Sequence, residues 1–197
     1  MRNFIRENSA AIVKFILTHI VMSVLGIMVG LAILSMEGTA NGFTSIAVIG
    51  GIFTVGYMCF MHYDDMFFIA VKEGIRLRSE GGKADVFKGL KISLIAYTPV
   101  LLIGITAFLF NIFGSESASA ISLLCYHAVQ GSFIPFYAAL NYLGVIGYVL
   151  VTLVPAIVAS SLGYAIGVQD KTLRGMMGMD VAPPFDGPLE RKPKDKE

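Results

Sequence analysis

The residues best suited to chemistry stand together at one place, His62-Tyr63-Asp64-Asp65, at the head of the stretch MHYDDMFFIAVKEGIRLRSEGGKAD spanning 61–85. An imidazole beside two carboxylates suits either a metal ion or a proton-transfer step. A hard cation, however, needs several oxygen ligands arriving from different directions. Adjacent residues on a helix project about 100° apart, so only one of the two aspartates can face a given ion. His62, Asp64 and Asp65 are the metal candidates of this chain, and they are short of ligands. Their types and position instead suit a membrane boundary, with Lys72 and Arg76 as charge partners.

Two known carboxylate patterns are not met. Phospholipid-head transferases carry Asp-x-x-Asp-Gly-x-x-Ala-Arg followed by Gly-x-x-x-Asp-x-x-x-Asp. Here EGIRLRSEGGKAD supplies Glu73-Gly74, Arg76, Gly81 and Asp85 without the acidic ladder. A prenyl-transfer Asp-Asp-x-x-Asp run fails as well, since Asp64-Asp65-Met66-Phe67-Phe68 has no third acid.

The remaining ionisable groups are isolated. Lys14 and His19 lie in the first turns of an apolar run, where a lysine can snorkel to head groups and a histidine can stay neutral. His127 has no companion ligand at a recognisable spacing. No Asp, Glu, Lys or Arg stands in the middle of an apolar run, which weighs against an ion-coupled transporter. With no Gly-rich phosphate loop and no nucleic-acid motif, the sequence implies no catalytic residues, no cofactor and no nucleic-acid partner.

The elements that carry these residues follow from composition. Of 197 residues, 55% are hydrophobic and 15% charged, and the mean hydropathy is +0.72, outside the balance of soluble domains. Nearly every charge falls in 1–14, 64–91 or 170–197. The stretches between are long enough to cross a bilayer core of roughly 30 Å. Spans are expected at about 15–36, 42–61, 92–113 and 138–168, all of them helices, because an open strand would leave backbone groups unpaired in lipid. The expected fold is an all-α integral membrane protein, with a segment 1–14, one membrane domain 15–168 and a tail 169–197.

Orientation follows from the basic residues. The connections Glu37–Asn41 and Gly114–Ala120 hold no Lys or Arg, whereas loop 64–91 holds Lys72, Arg76, Arg78, Lys83, Lys88 and Lys91. Positive loops remain cytoplasmic, so both termini and this loop are expected inside a cell membrane. The apolar run after MRNFIREN is too long for a cleaved signal and lacks a small-residue site behind it. The segment 119–137 is apolar but interrupted by His127, Gln130, Ser132 and Pro135. Ile121, Leu124, Cys125 and Ala128 recur at helical spacing, which suits an outer interfacial helix or a shallow re-entrant turn. Cys59 and Cys125 are expected near opposite faces, too far apart for a disulfide. The Pro- and Gly-rich tail is expected to be disordered.

Inside the spans the readable features are packing features. Gly26/Gly30 and Gly163/Gly167 each place two small residues on one helix face, where another backbone can approach. Pro99 and Pro155 are expected to bend their helices. In KADVFKGLK, Val86, Phe87 and Leu90 oppose Lys83, Lys88 and Lys91, the pattern of a short helix on an anionic inner leaflet. Apolar, glycine-rich spans without a charged centre point first to an accessory or assembly subunit that works through another membrane protein or copies of itself. A small transporter or channel component for an uncharged or apolar solute comes second, on the prolines and on Thr54, Thr98, Thr106 and Thr152. A membrane-boundary enzyme would rest on His62, Asp64 and Asp65 alone.

Overall fold

A computed structural model of the chain describes residues 2–37, 45–140 and 143–169. The calls that fall on 170–197, the disordered tail and its basic cluster, lie outside the described residues. Among the described residues seven α-helices follow in order: α1 Arg2–Glu7, α2 Ser9–Glu37, α3 Ser45–Glu80, α4 Lys88–Phe113, α5 Glu116–Val129, α6 Tyr137–Leu140 and α7 Gly144–Val168. A 3₁₀ helix, Gly131–Phe136, joins α5 to α6. No strand occurs among the described residues. Helices α2, α3, α4 and α7 are each long and apolar enough to cross a membrane.

The packing is built at glycines. α3 and α7 lie side by side in the same direction, with Gly163 against the Tyr63 backbone and Gly167 against that of Phe67. α2 runs antiparallel to α3, bringing Gly50 onto Ile33 and Val29. Gly89 of α4 packs on Tyr164 of α7 and Gly104 on Val149, so those two helices are antiparallel. A methyl group at most of these glycines would meet main chain or a buried side chain, which is why the four helices approach so closely.

Element ends match local sequence signals. α3 runs unbroken past the expected end of the second span at Met61 and stops at Glu80, followed by Gly81 at φ 70, a left-handed conformation that glycine adopts without steric cost. At 36 residues it is about 54 Å long, well beyond a bilayer core of roughly 30 Å. The fourth long helix begins at Gly144 (φ 69) rather than near 138. The chain forms no separate helix over KADVFKGLK. Residues 82–85 are non-helical, and Lys88 opens α4. The expected leaflet face of Lys83, Lys88 and Lys91 is altered accordingly. Lys88 Nζ holds both Glu73 carboxylate oxygens at 2.7 and 2.8 Å, and Lys91 Nζ holds Asp85 at 2.7 Å. That lysine keeps the Asp85 carboxyl below its ordinary range.

Charge segregates along the bundle. In the four long helices every Asp, Glu, Lys and Arg except Glu37 stands at the end that holds the start of α2, the end of α3 and the start of α4. Tyr164 Oη donates to Glu73 at 2.9 Å, so the Lys88–Glu73 pair ties α3, α4 and α7 together there. Both internal prolines sit within continuous helices.

Candidate functional site

α5 has 14 residues, hence a length of about 21 Å, too short to cross a bilayer. It starts beside the end of α4, capped by Ser115 Oγ, which accepts from the Ala118 amide at 3.3 Å, and runs back along α4 into the bundle. Its far end reaches the middle of α2. Ser132 Oγ donates to the Met22 carbonyl at 2.9 Å, Thr54 Oγ1 donates to the Ser132 carbonyl at 2.7 Å, and Ser23 Oγ donates to the Val129 carbonyl. Met22 and Ser23 are at the centre of the apolar segment Ser9–Ile33. Gly131 lies directly on the Ser23 backbone, and Gly26 on Gly131 and Ser132. Of the two settings expected for 121–137, the structure has a segment that returns into the bundle to mid-height and turns back through the 3₁₀ helix.

This arrangement has a physical requirement. A helix that ends inside the bundle leaves its last carbonyls without intrahelical partners, and irregular backbone at membrane depth persists only where protein or a cavity satisfies it. The serine and threonine hydroxyls of α2 and α3 do so here. Higher up, Tyr126 Oη bonds Thr152 Oγ1 at 2.7 Å and the Val149 carbonyl at 3.3 Å, and burial raises this phenol to about 12. Gln130, fully buried beside Tyr126, has no hydrogen-bond partner of ordinary geometry for its side-chain amide among the described residues.

A second polar group lies one to two turns nearer the charged end. His19 Nδ1 and Tyr97 Oη are 3.0 Å apart, both buried. His62 has 0% exposure. Its ring stacks on Phe15 at a centroid separation of 4.2 Å, and His19 follows at 5.8 Å. Among the described residues both ring nitrogens of His62 lack partners of ordinary geometry, and the His19 ring lies against the Val129 backbone. One turn further, Asp65 accepts from Lys14 Nζ at 2.8 Å and from Thr18 Oγ1 at 2.5 Å.

The sequence-based assignments are redistributed by these contacts. Asp65 pairs with Lys14 across the α2–α3 interface, not with Lys72 or Arg76 on its own helix. His62 faces inward instead of marking a water boundary. The change has one cause: α3 crosses α2 here, so the side of α3 that carries His62 and Asp65 is covered by Lys14, Phe15, Thr18 and His19. Among the described residues no three His, Cys, Asp or Glu side chains are placed to share a metal ion. His127 lies apart, its Nδ1 3.1 Å from Tyr148 Oη and its ring edge-on to Tyr137 at 4.5 Å. Burial lowers its basicity.

Between α2 and α4 the bundle leaves a cavity of about 220 Å³, lined by Phe15, Ile16, His19, Ile20, Ala96, Tyr97, Pro99, Val100, Ile103 and Val129. His19 and Tyr97 contribute mainly ring carbon to this almost wholly apolar wall, and the α5 terminus at Val129 closes one side. Sequence reading passed over Tyr97 and met Gln130 only as an interruption of an apolar segment. The available signal was the sequence Gln130-Gly131-Ser132, small and polar residues inside an apolar segment too short to span.

Comparison with protein-family models, with curated proteins and with solved structures found no match.

Proposed function

We propose that the protein is a four-span cell-membrane protein with both termini cytoplasmic, acting as a small transporter or channel component for an uncharged or apolar solute. The observation that carries this reading is the half-length helix α5, whose end lies at mid-height beside an apolar cavity. Interrupted helices at that depth are how membrane proteins place polar backbone and side-chain groups next to a solute. The lining residues include no Asp, Glu, Lys or Arg, in keeping with an uncharged solute, since a lone charge at that depth is costly. The collection of charged residues at one end of the bundle supports the orientation.

The accessory-subunit reading loses its main support. Gly26, Gly30, Gly163 and Gly167, the faces expected to receive a partner, are covered by Gly131, Ile134, Tyr63 and Phe67 of the same chain. The boundary-enzyme reading is weakened because Asp65 is held by Lys14 and Thr18.

The test is solute flux in proteoliposomes. The purified chain is reconstituted and its uptake of small uncharged alcohols, polyols and amides is followed by light scattering. Uptake of at least one member well above protein-free vesicles is expected. Uptake equal to protein-free vesicles across the panel would overturn the reading. Reporters fused after Arg78 and Lys192 should score cytoplasmic and one after Ser117 external. An external score at Lys192 would overturn the orientation.

A further inference from the structure

We infer that His62 is a proton-binding site, and that a proton taken up there moves Asp65 from Lys14 to the imidazolium and releases the Lys14 amine to the membrane boundary. The site stands on the contacts between α2 and α3 and does not depend on the transport reading.

Three observations carry it. The first is that packing alone does not call for an imidazole. His62 is fully buried, and among the described residues its two ring nitrogens lack partners of ordinary geometry. Its contact with Phe15, stacked at 4.2 Å, is one an apolar ring would make equally well. Leaving buried polar atoms unpaired is unfavourable, and an apolar group of that shape avoids it. An ionisable side chain at such a place in a membrane bundle marks a functional site. The second observation is the counter-ion. Asp65 follows His62 by three residues on a continuous helix, so the two side chains neighbour each other on one face. The carboxylate now accepts from Lys14 Nζ at 2.8 Å and Thr18 Oγ1 at 2.5 Å. The other titratable groups around His62 are Lys14 and His19 of α2, Cys59 of α3 and Tyr97 of α4. Of the two tyrosines of α7, Tyr164 is held by Glu73 and Tyr148 by His127. Asp64 projects about 200° away round the helix, which leaves Asp65 as the carboxylate within a turn of His62 on this side.

The third observation is where the added charge can go. A bare imidazolium in an apolar core is costly. Exchange of partners avoids that cost, because the Lys14 side chain is 51% exposed and that of Asp65 only 8%. The lysine amine can turn outward on its flexible stem, while the buried carboxylate stays neutralised by the imidazolium. The charge brought by the proton then appears at the boundary and not in the core. Phe15, on which the His62 ring stacks, also lines the cavity between α2 and α4, so movement of the ring disturbs one wall of that cavity.

The experiment uses the full chain in lipid nanodiscs with ¹⁵N-labelled histidine, of which there are three. The signals lost in His62→Phe assign the site. On titration from about pH 8 to about pH 4, the His62 nitrogens are expected to pass from the neutral to the doubly protonated pattern in one step. Asp65→Asn removes the counter-ion, so the midpoint of that step should fall by at least about one pH unit. Lys14→Gln frees the carboxylate and removes a neighbouring cation, so the midpoint should rise. A neutral His62 throughout the wild-type titration would overturn the inference, as would a midpoint unchanged in Asp65→Asn. A step that coincides with unfolding, followed by circular dichroism on the same samples, would overturn it too. A midpoint not raised in Lys14→Gln would overturn the exchange of partners. Titration as expected without flux of any solute would overturn the transport reading alone, and flux with His62 neutral throughout would overturn the proton site alone.

Discussion

Replacing Gly163 by alanine tests the α3–α7 interface at its tightest point. A methyl group there would lie 3.0 Å from the Tyr63 carbonyl carbon and 3.1 Å from its Cα, and nearer still to the carbonyl oxygen. Carbon atoms in good contact are about 3.5–4.0 Å apart, so α3 and α7 would have to separate by roughly 0.5–1 Å. The obstructing atoms are main chain, so no rotamer change relieves them. Overpacking of this kind costs about 1–3 kcal/mol. Separation would also loosen the neighbouring contact of Gly167 with Phe67. The better helix propensity of alanine returns about 1 kcal/mol, leaving a net change between roughly zero and a loss of 2 kcal/mol, at most about a 30-fold shift in the unfolding equilibrium. Gly56→Ala is the control, because a methyl at that position meets nothing within 4 Å and only the propensity gain remains. Unfolding in mixed micelles of rising dodecyl sulfate content, followed by circular dichroism, would compare the three chains. Stability of Gly163→Ala at or above that of Gly56→Ala would refute the packing argument and reopen that face to another chain.

Within the other glycine pair, Gly26→Ala should be clearly more destabilising than Gly30→Ala in the same unfolding assay. The first methyl meets the Gly131–Ser132 main chain and the second mainly the movable side chain of Ile134; equal effects would contradict the close seat of the returning segment. At the charged end, Lys14→Gln should cost more than Asp65→Asn, about 1–2 against under 1 kcal/mol, because the Asp65 side chain is only 8% exposed while that of Lys14 is 51% exposed. The double variant should then be more stable than Lys14→Gln alone, and the reverse order would refute the assignment. Burial lowers His127 from its ordinary 6.5, so at acidic pH the unfolded chain binds more protons than the folded one. This contribution is full above about pH 6.5 and is lost as the pH falls below it. His127→Gln should therefore flatten the decline of unfolding midpoints between pH 7 and 5, and parallel declines would count against a buried, neutral imidazole.

What the sequence disclosed divides along a physical line. Features that depend on one helix at a time were legible: the apolar lengths and the clustering of charge. Features that depend on the rotation and height of one helix against another were not. Asp64 and Asp65 end an apolar run, so a boundary reading was natural, but nothing in the local pattern says that α2 covers that side of α3 with Lys14, Thr18 and His19. KADVFKGLK misled for a related reason. Its amphipathic spacing is real, yet Glu73, one helix away in the fold, draws Lys88 into the start of α4. In 121–137 the polar residues looked like marks of exposure. In the bundle Ser132 is among the most buried, because its hydroxyl and carbonyl meet Met22 and Thr54.

These contacts also explain why the uncommitted polar groups gather where they do. A chain that turns back at mid-height must satisfy its own peptide groups, and Ser23, Thr54 and Ser132 are fully engaged in that task. They hold the turn through hydroxyl-to-backbone bonds at positions where glycine lets main chains touch. The returning segment is thereby wedged against α2, and its terminus at Val129 stands between α2 and α4, the pair the cavity separates. Pro99 lies on the α4 side of that gap and offers no amide hydrogen, so it adds no donor to the mouth. The gap is therefore walled almost wholly by apolar groups, in keeping with an apolar solute.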